Sequence, residues 1–257
     1  MPGLERNRYG QPWKRDELIL AFDLYCRIPF QQTKASNPKV RELAVLMGRT
    51  PASVARKLGN FGAFDPELQR KGITGLIHAG KLDKEVWDEF HQNWNDLVYE
   101  AAKLRGGFSQ KQKDVNELQR PEGPSELVRE TKVRVHQGFF REAVLSSYTE
   151  TCCVTGIRIP DCLIASHIVP WRIDEDRRTD PTNGLCLSAT FDRLFDKGLI
   201  TIGSELEIIV SKNILSRKDP ILERHVAGYH MRRMILPTRF LPSPECLEWH
   251  RTNVFRS

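Results

Sequence analysis

Three side chains in the second half of the chain have the types and spacing to hydrolyse a phosphodiester. His167 closes the apolar run Cys162-Leu163-Ile164-Ala165-Ser166-His167, Asn183 follows sixteen residues later, and Asp192 lies nine beyond that. Such hydrolysis needs a water deprotonated for in-line attack and a cation on the scissile phosphate and leaving oxygen. An imidazole that is neutral near pH 7 suits the first task. A carboxylate suits the second, because Mg²⁺ prefers hard oxygen ligands and keeps several waters. An asparagine between them can hold a loop and orient the histidine through backbone contacts. An isolated histidine on an apolar run is usually a hydrogen-bonded core residue. The company of Asn183 and Asp192 is what turns the reading of His167 toward catalysis. His78, His91, His136, His225, His230 and His250 lack such company and read as surface or packing residues.

The flanking pattern supplies elements to position these groups. Phe139 to Tyr148 reads as a helix, and Cys152-Cys153-Val154-Thr155-Gly156 as a turn closing on glycine. Cys162 to Val169 reads as a buried strand ending at Pro170. The polar loop Arg172 to Asn183 follows, then a short strand at Gly184-Leu185-Cys186-Leu187. A helix from about Ala189 to Lys197 stops at Gly198, and a hairpin turns around Gly203-Ser204. The order is strand, loop, strand, helix.

The segment from about Phe139 to Ile202 resembles the HNH, or ββα-metal, endonuclease family. The resemblance rests on the Cys-x-x-Thr-Gly turn, the Ser-His-Ile-x-Pro-Trp strand, and the Asn-Gly-Leu-x-Leu and Phe-Asp-x-Gly-Leu-Ile block, which runs from Asn183 to Leu187 and then from Phe195 to Ile200. The segment is similar to the group found in bacterial restriction and anti-phage defence. The resemblance implies His167 as general base, Asn183 as the middle asparagine, and Asp192 as a ligand of a single Mg²⁺, with Mn²⁺ as an alternative. Asp196, four residues on and on the same helix face, is either a second ligand or a structural residue near the helix end. Ser166 departs from relatives that carry Asp, Glu or His before the base, which leaves the ligand set open. Arg172, Arg177 and Arg178 either grip phosphates or form a solvated basic loop. Trp171 reads as packing.

The first half reads as helical. Apolar positions at Leu18, Ile19, Phe22 and Cys26 predict a helix over Asp16 to Arg27. Pro38 opens a second helix that stops at Gly48, and Thr50-Pro51 at once restarts a third. Val54, Ala55 and Leu58 are expected inside that third helix, with Ser53, Arg56, Lys57 and Asn60 outside. This pair has a helix-turn-helix shape, whose second helix enters a DNA major groove. Five cations against one acid lie between Lys39 and Lys57. Arg49, Ser53, Arg56, Lys57 and Asn60 are therefore candidate DNA contacts, the rival reading being a helical hairpin with a solvated basic face. Leu82 to Leu104 reads as one long amphipathic helix, with Val86, Phe90, Trp94, Leu97, Val98 and Ala101 on a face suited to the core or to a homodimer interface. Residues 105–130, rich in glycine, proline and charge, read as a linker.

The expected architecture is α+β: a helical module with a helix-turn-helix-like unit over 1–104, the linker, and an HNH nuclease domain over 131–257. A formal charge of +6 and a pI near 9.0 suit a polyanionic partner, here duplex DNA, without demanding one. No apolar run reaches the roughly 18 residues of a membrane span. No apolar signal core follows Met1, so a cytoplasmic protein is expected. Reduced cysteines are expected with it. No CxxC pair occurs, so no structural zinc is expected, and Cys152 reads as core packing. Two rivals to an autonomous nuclease stay open. One is a DNA-binding regulator with a degenerate finger, favoured by Ser166. The other is a nuclease subunit licensed by partners in a larger defence complex.

Overall fold

The computed structural model describes residues 10–73, 80–113 and 125–257, with side chains described outside 109–113 and 125–134. The centre of the expected linker, 114–124, and His78 lie outside the described residues. The chain divides into two compact units, Met1–Glu142 and Ala143–Ser257. Among the described residues no helix is long and apolar enough to cross a membrane.

The first unit is helical: α1 (Arg15–Arg27), α2 (Pro38–Met47), α3 (Pro51–Gly62), α4 (Pro66–Arg70), α5 (Lys81–Phe90) and α6 (Trp94–Lys113). Helix α7 (Ser125–Ser147) carries the chain over the boundary into the second unit. Local signals set the turn between α2 and α3. Asn37 caps α2 through Lys39, and Gly48 ends it in the left-handed region at φ 66°. The Thr50 hydroxyl then accepts the Ser53 N–H while Pro51 takes the first helical position. The core gathers around α1, where Phe22 meets Phe61 at 5.0 Å and Trp87 at 5.2 Å between ring centroids. Leu18 to Ala21, Val54 and Leu58 are sealed with them.

Three expectations change here. First, residues 82–104 form two helices. The chain turns at His91–Asn93, where the Asn93 side chain donates to the Glu89 carbonyl at 2.6 Å and the Asn93 carbonyl accepts from Leu97. The aromatic face of both helices is committed to the unit's own core, with Phe90 2% and Trp94 4% exposed, so it is not a surface for a second copy. Second, α6 runs on through Arg105 to Lys113 and α7 begins at Ser125, so both ends of the expected linker are helical. Arg105 gives a reason, since it reaches the buried carboxylate of Asp23 on α1 at 2.7 Å.

Third, three of the five candidate DNA contacts on the helical pair are held inside the fold. Arg49 makes a two-pronged pair with Glu17 at 2.8 and 2.9 Å and donates to the carbonyls of Gln11 and Pro12. Its guanidinium also lies 4.2 Å from the Trp13 ring centroid. Lys57 and Asn60 both bind Asp83, each at 2.8 Å, and Asp83 also caps α5 through the Gly80 N–H. Burial forces this: a cation that leaves water needs a carboxylate beside it. Arg56 is exposed and Ser53 half-exposed.

The second unit holds two antiparallel hairpins. Strands β1 (Leu163–His167) and β2 (Gly184–Ser188) pair in the register Ala165 to Cys186 and His167 to Gly184. Helix α8 (Ala189–Asp196) packs on both strands through Phe191 and Phe195. Strands β3 (Ile200–Ile202) and β4 (Ile208–Val210) form the second hairpin. Short helices α9 (Lys212–Leu215) and α10 (Pro220–His225) follow, and α11 (Pro244–Asn253) closes the unit. Gly198 stops α8 at φ +65°, and a Cβ there would sit 2.0 Å from the Val254 carbonyl oxygen, so glycine is required twice over.

The Glu17–Arg49 pair is buried on both sides, the two side chains being 1% and 3% exposed. Removing either partner strands the other, so Glu17→Ala is expected to cost roughly 3 kcal/mol or more of the first unit's stability. Chemical denaturation of full-length protein, followed by tryptophan fluorescence, checks this.

Candidate active site

His167 ends β1, with its backbone opposite Gly184. Its ring Nε2 lies 3.0 Å from the carbonyl oxygen of Arg178 in the loop between β1 and β2. A carbonyl can only accept, so Nε2 carries the proton and Nδ1 the lone pair. Burial holds the imidazole below its usual pKa, and the Arg178 carbonyl draws it part of the way back. The result is a half-buried, neutral histidine with a defined tautomer.

The loop that supplies this carbonyl is held by Asn183, which is fully buried. Its Oδ1 accepts the Val169 N–H at 2.8 Å, while Nδ2 donates to the Val169 carbonyl at 3.0 Å and the Arg177 carbonyl at 3.3 Å. The Asn183 backbone carbonyl also accepts the Ile168 N–H. Asn183 thus ties the end of β1 to the residue next to Arg178. Its side chain is fully engaged with backbone, so it positions the histidine. Asp180 braces the same loop by accepting both the N–H and the hydroxyl of Thr182, and burial raises its carboxyl. Ser166 is 3% exposed, and its hydroxyl has no hydrogen-bond partner among the described residues.

Asp192 stands half-buried in the first turn of α8, where the helix dipole favours a negative charge. Asp196 lies one turn on. Burial raises the Asp196 carboxyl first, and the Asp192 charge raises it further, against Arg193 and Lys197. The Asp192 charge therefore bears on Asp196, and a cation held near both would relieve that repulsion. Mg²⁺ is commonly held by one or two carboxylates and its own waters, so this pair suits it chemically. Among the described residues no group of three or more His, Cys, Asp or Glu side chains could hold a metal ion.

The loop arginines divide. Arg177 pairs with Glu245 at 2.8 Å and donates to the Cys246 sulfur at 3.1 Å, fixing the loop to α11. Those contacts raise its pKa further. Arg178 pairs with Glu175 and lies 5.4 Å from the Trp171 ring centroid. Both cations are partnered, which weakens their reading as phosphate grips. Arg172 is exposed. Cys152 is wholly buried, and its sulfur accepts the N–H groups of Thr155 and Ser188, anchoring the turn to the end of β2.

One supporting residue was not singled out by its sequence context. His250 on α11 is 2% exposed and stacks on Phe195 at 3.6 Å between centroids. It engages the Phe195 carbonyl through Nε2 at 3.1 Å and the Thr201 hydroxyl through Nδ1 at 2.8 Å. It therefore clasps the last turn of α8, beside Asp196. Its partner lies 55 residues back, so no local pattern announces it.

Residues 152–203 match a family model described as HNH endonuclease. The matched segment runs from the Cys152 turn to the end of β3 and contains His167, Asn183, Asp192 and Asp196. Comparison with curated proteins finds no match.

Burial lowers the His250 pKa to about 4. Between that value and the ordinary 6.5, the unfolded chain binds a proton that the folded chain excludes, so stability falls as pH falls through this window. The loss attributable to His250 reaches about 3 kcal/mol near pH 4, since each tenfold preference for the neutral ring is about 1.4 kcal/mol. His250→Phe is expected to flatten that part of the stability profile, which denaturation midpoints between pH 7 and pH 4 would record.

Proposed function

We propose that this protein is a divalent-metal-dependent endonuclease that hydrolyses phosphodiester bonds in DNA. The observation that carries the reading is His167: a neutral imidazole with its tautomer set by a loop carbonyl, inside the segment that matches the HNH endonuclease family. Nδ1 takes the proton of a water as its oxygen attacks phosphorus in line with the 3′ oxygen. The P–O3′ bond breaks, leaving 5′-phosphate and 3′-hydroxyl ends once solvent protonates the leaving oxygen. Asn183 holds His167 in place through the loop and touches no substrate. Asp192 would hold the metal and Asp196 would be its second ligand, a role supported by the effect of the Asp192 charge on Asp196. Bound Mg²⁺ supplies Lewis-acid stabilisation of the scissile phosphate and leaving oxygen.

Contact with DNA beyond the scissile bond falls to Arg172, Ser53 and Arg56, since the other candidates are engaged by side-chain partners within the fold. A role in restriction or anti-phage defence rests on the Ser-His-Ile-x-Pro-Trp and Asn-Gly-Leu-x-Leu motifs. Ser166 is the feature that favours the second reading, a DNA-binding module whose finger has lost catalysis.

Supercoiled plasmid with Mg²⁺, Mn²⁺ or EDTA separates the two. Metal-dependent nicking or linearisation is expected, with His167→Ala lowering it at least about 100-fold, the scale of a lost general base. DNA binding by that variant should persist. Asp192→Asn should raise the Mg²⁺ concentration needed, and Asp196→Asn should do so less. Because the imidazole must be neutral to act, the rate should fall with acidification only below pH 6.5. Cleavage that survives in His167→Ala overturns the assignment of the base.

A further inference from the structure

The cations expected to grip DNA in the first unit and in the β1–β2 loop are largely partnered within the fold. A different set is not. Between Lys212 and Arg233 the chain carries six cations, Lys212, Arg217, Lys218, Arg224, Arg232 and Arg233, against two acids, Asp219 and Glu223. All six are exposed, and among the described residues none pairs with a carboxylate. The Arg217 guanidinium donates to the Asn213 amide oxygen, and that of Arg232 lies 5.6 Å from the Tyr229 ring centroid.

This lobe begins beyond the family-matched segment yet is fastened to it. Tyr229 meets Phe191 edge-on at 5.3 Å, and Phe191 immediately precedes Asp192. The returning chain runs along β4: the Met231 N–H donates to the Ile208 carbonyl, the Ile208 N–H donates to the Arg232 carbonyl, and the backbones of Glu207 and Arg233 form an antiparallel bridge. The Val210 N–H donates to His230 Nδ1 at 3.2 Å. Uncompensated like charge repels itself and destabilises the compact state unless a polyanion relieves it. Here it is held on a braced segment one aromatic contact away from a candidate metal ligand.

We propose that the Lys212–Arg233 lobe is a sequence-independent phosphate-binding surface that seats duplex DNA beside the catalytic helix. The inference rests on the nuclease reading for its meaning, while its test does not depend on cleavage. A fluorescent DNA duplex is titrated with full-length protein in EDTA over a range of salt concentrations. Arg224→Gln/Arg232→Gln is compared with Lys34→Gln/Lys103→Gln, an equal charge change at exposed residues of the first unit. The lobe variant should bind several-fold more weakly. Its slope of log affinity against log salt should be shallower by about 1.8, the loss of two phosphate contacts. The control variant should keep the parent slope. Equal slopes for both variants, an equal loss in both, or no duplex binding by the parent protein overturns the proposal. Tighter retention of a single-stranded RNA of equal length overturns the choice of duplex DNA. A plasmid assay without cleavage, alongside the expected binding result, would overturn the nuclease reading alone.

Discussion

The buried amide of Asn183 is the constraint on which the site depends. It closes three backbone hydrogen bonds across the base of the loop between β1 and β2, two to Val169 and one to Arg177. A buried amide and its backbone partners are costly to leave unpaired, so this arrangement has one low-energy form. The Arg178 carbonyl next in line is thereby fixed against His167, and a fixed carbonyl fixes the tautomer. A loop without that anchor would offer its carbonyls to solvent.

The rest of the second unit keeps α8 and the loop beside His167 in place. Helix α11 reaches both: Arg177 ties the loop to Glu245 and Cys246, while His250 clasps the end of α8 through the Phe195 carbonyl. Gly198 lets the C-terminal segment approach closely enough for Arg256 to donate to its carbonyl. The carboxylates of α8 thus stand on a helix pinned at both ends, by its packing on the strands and by α11. The basic lobe after β4 is joined to the same helix through Tyr229 and Phe191.

Much of this was legible because its signals are local. Asn37-Pro38, Gly48 and Thr50-Pro51 declare the ends of α2 and α3 by capping chemistry, and the apolar run before His167 declares β1. Gly198 ends α8 as expected. Long-range partnership was not legible. Arg49 looks like a free cation in the turn between α2 and α3 until Glu17, 32 residues away, is found beside it. Lys57 and Asn60 meet Asp83 in the same way. The face from Val86 to Ala101 keeps helical spacing across a turn at His91–Asn93, because both helices bury that face in one core, so periodicity alone runs through the break. Gly106-Gly107 reads as a breaker, yet the ion pair from Arg105 to Asp23 docks that end of α6 on α1.

The most direct test of the account is the state of the His167 ring, read by ¹⁵N NMR of histidine-labelled protein at neutral pH. The hydrogen bond to the Arg178 carbonyl predicts a neutral imidazole protonated at Nε2, with that preference lost in Asn183→Ala as the carbonyl moves away. A ring protonated at Nδ1 alone, a charged ring, or a tautomer unchanged by the substitution would contradict it.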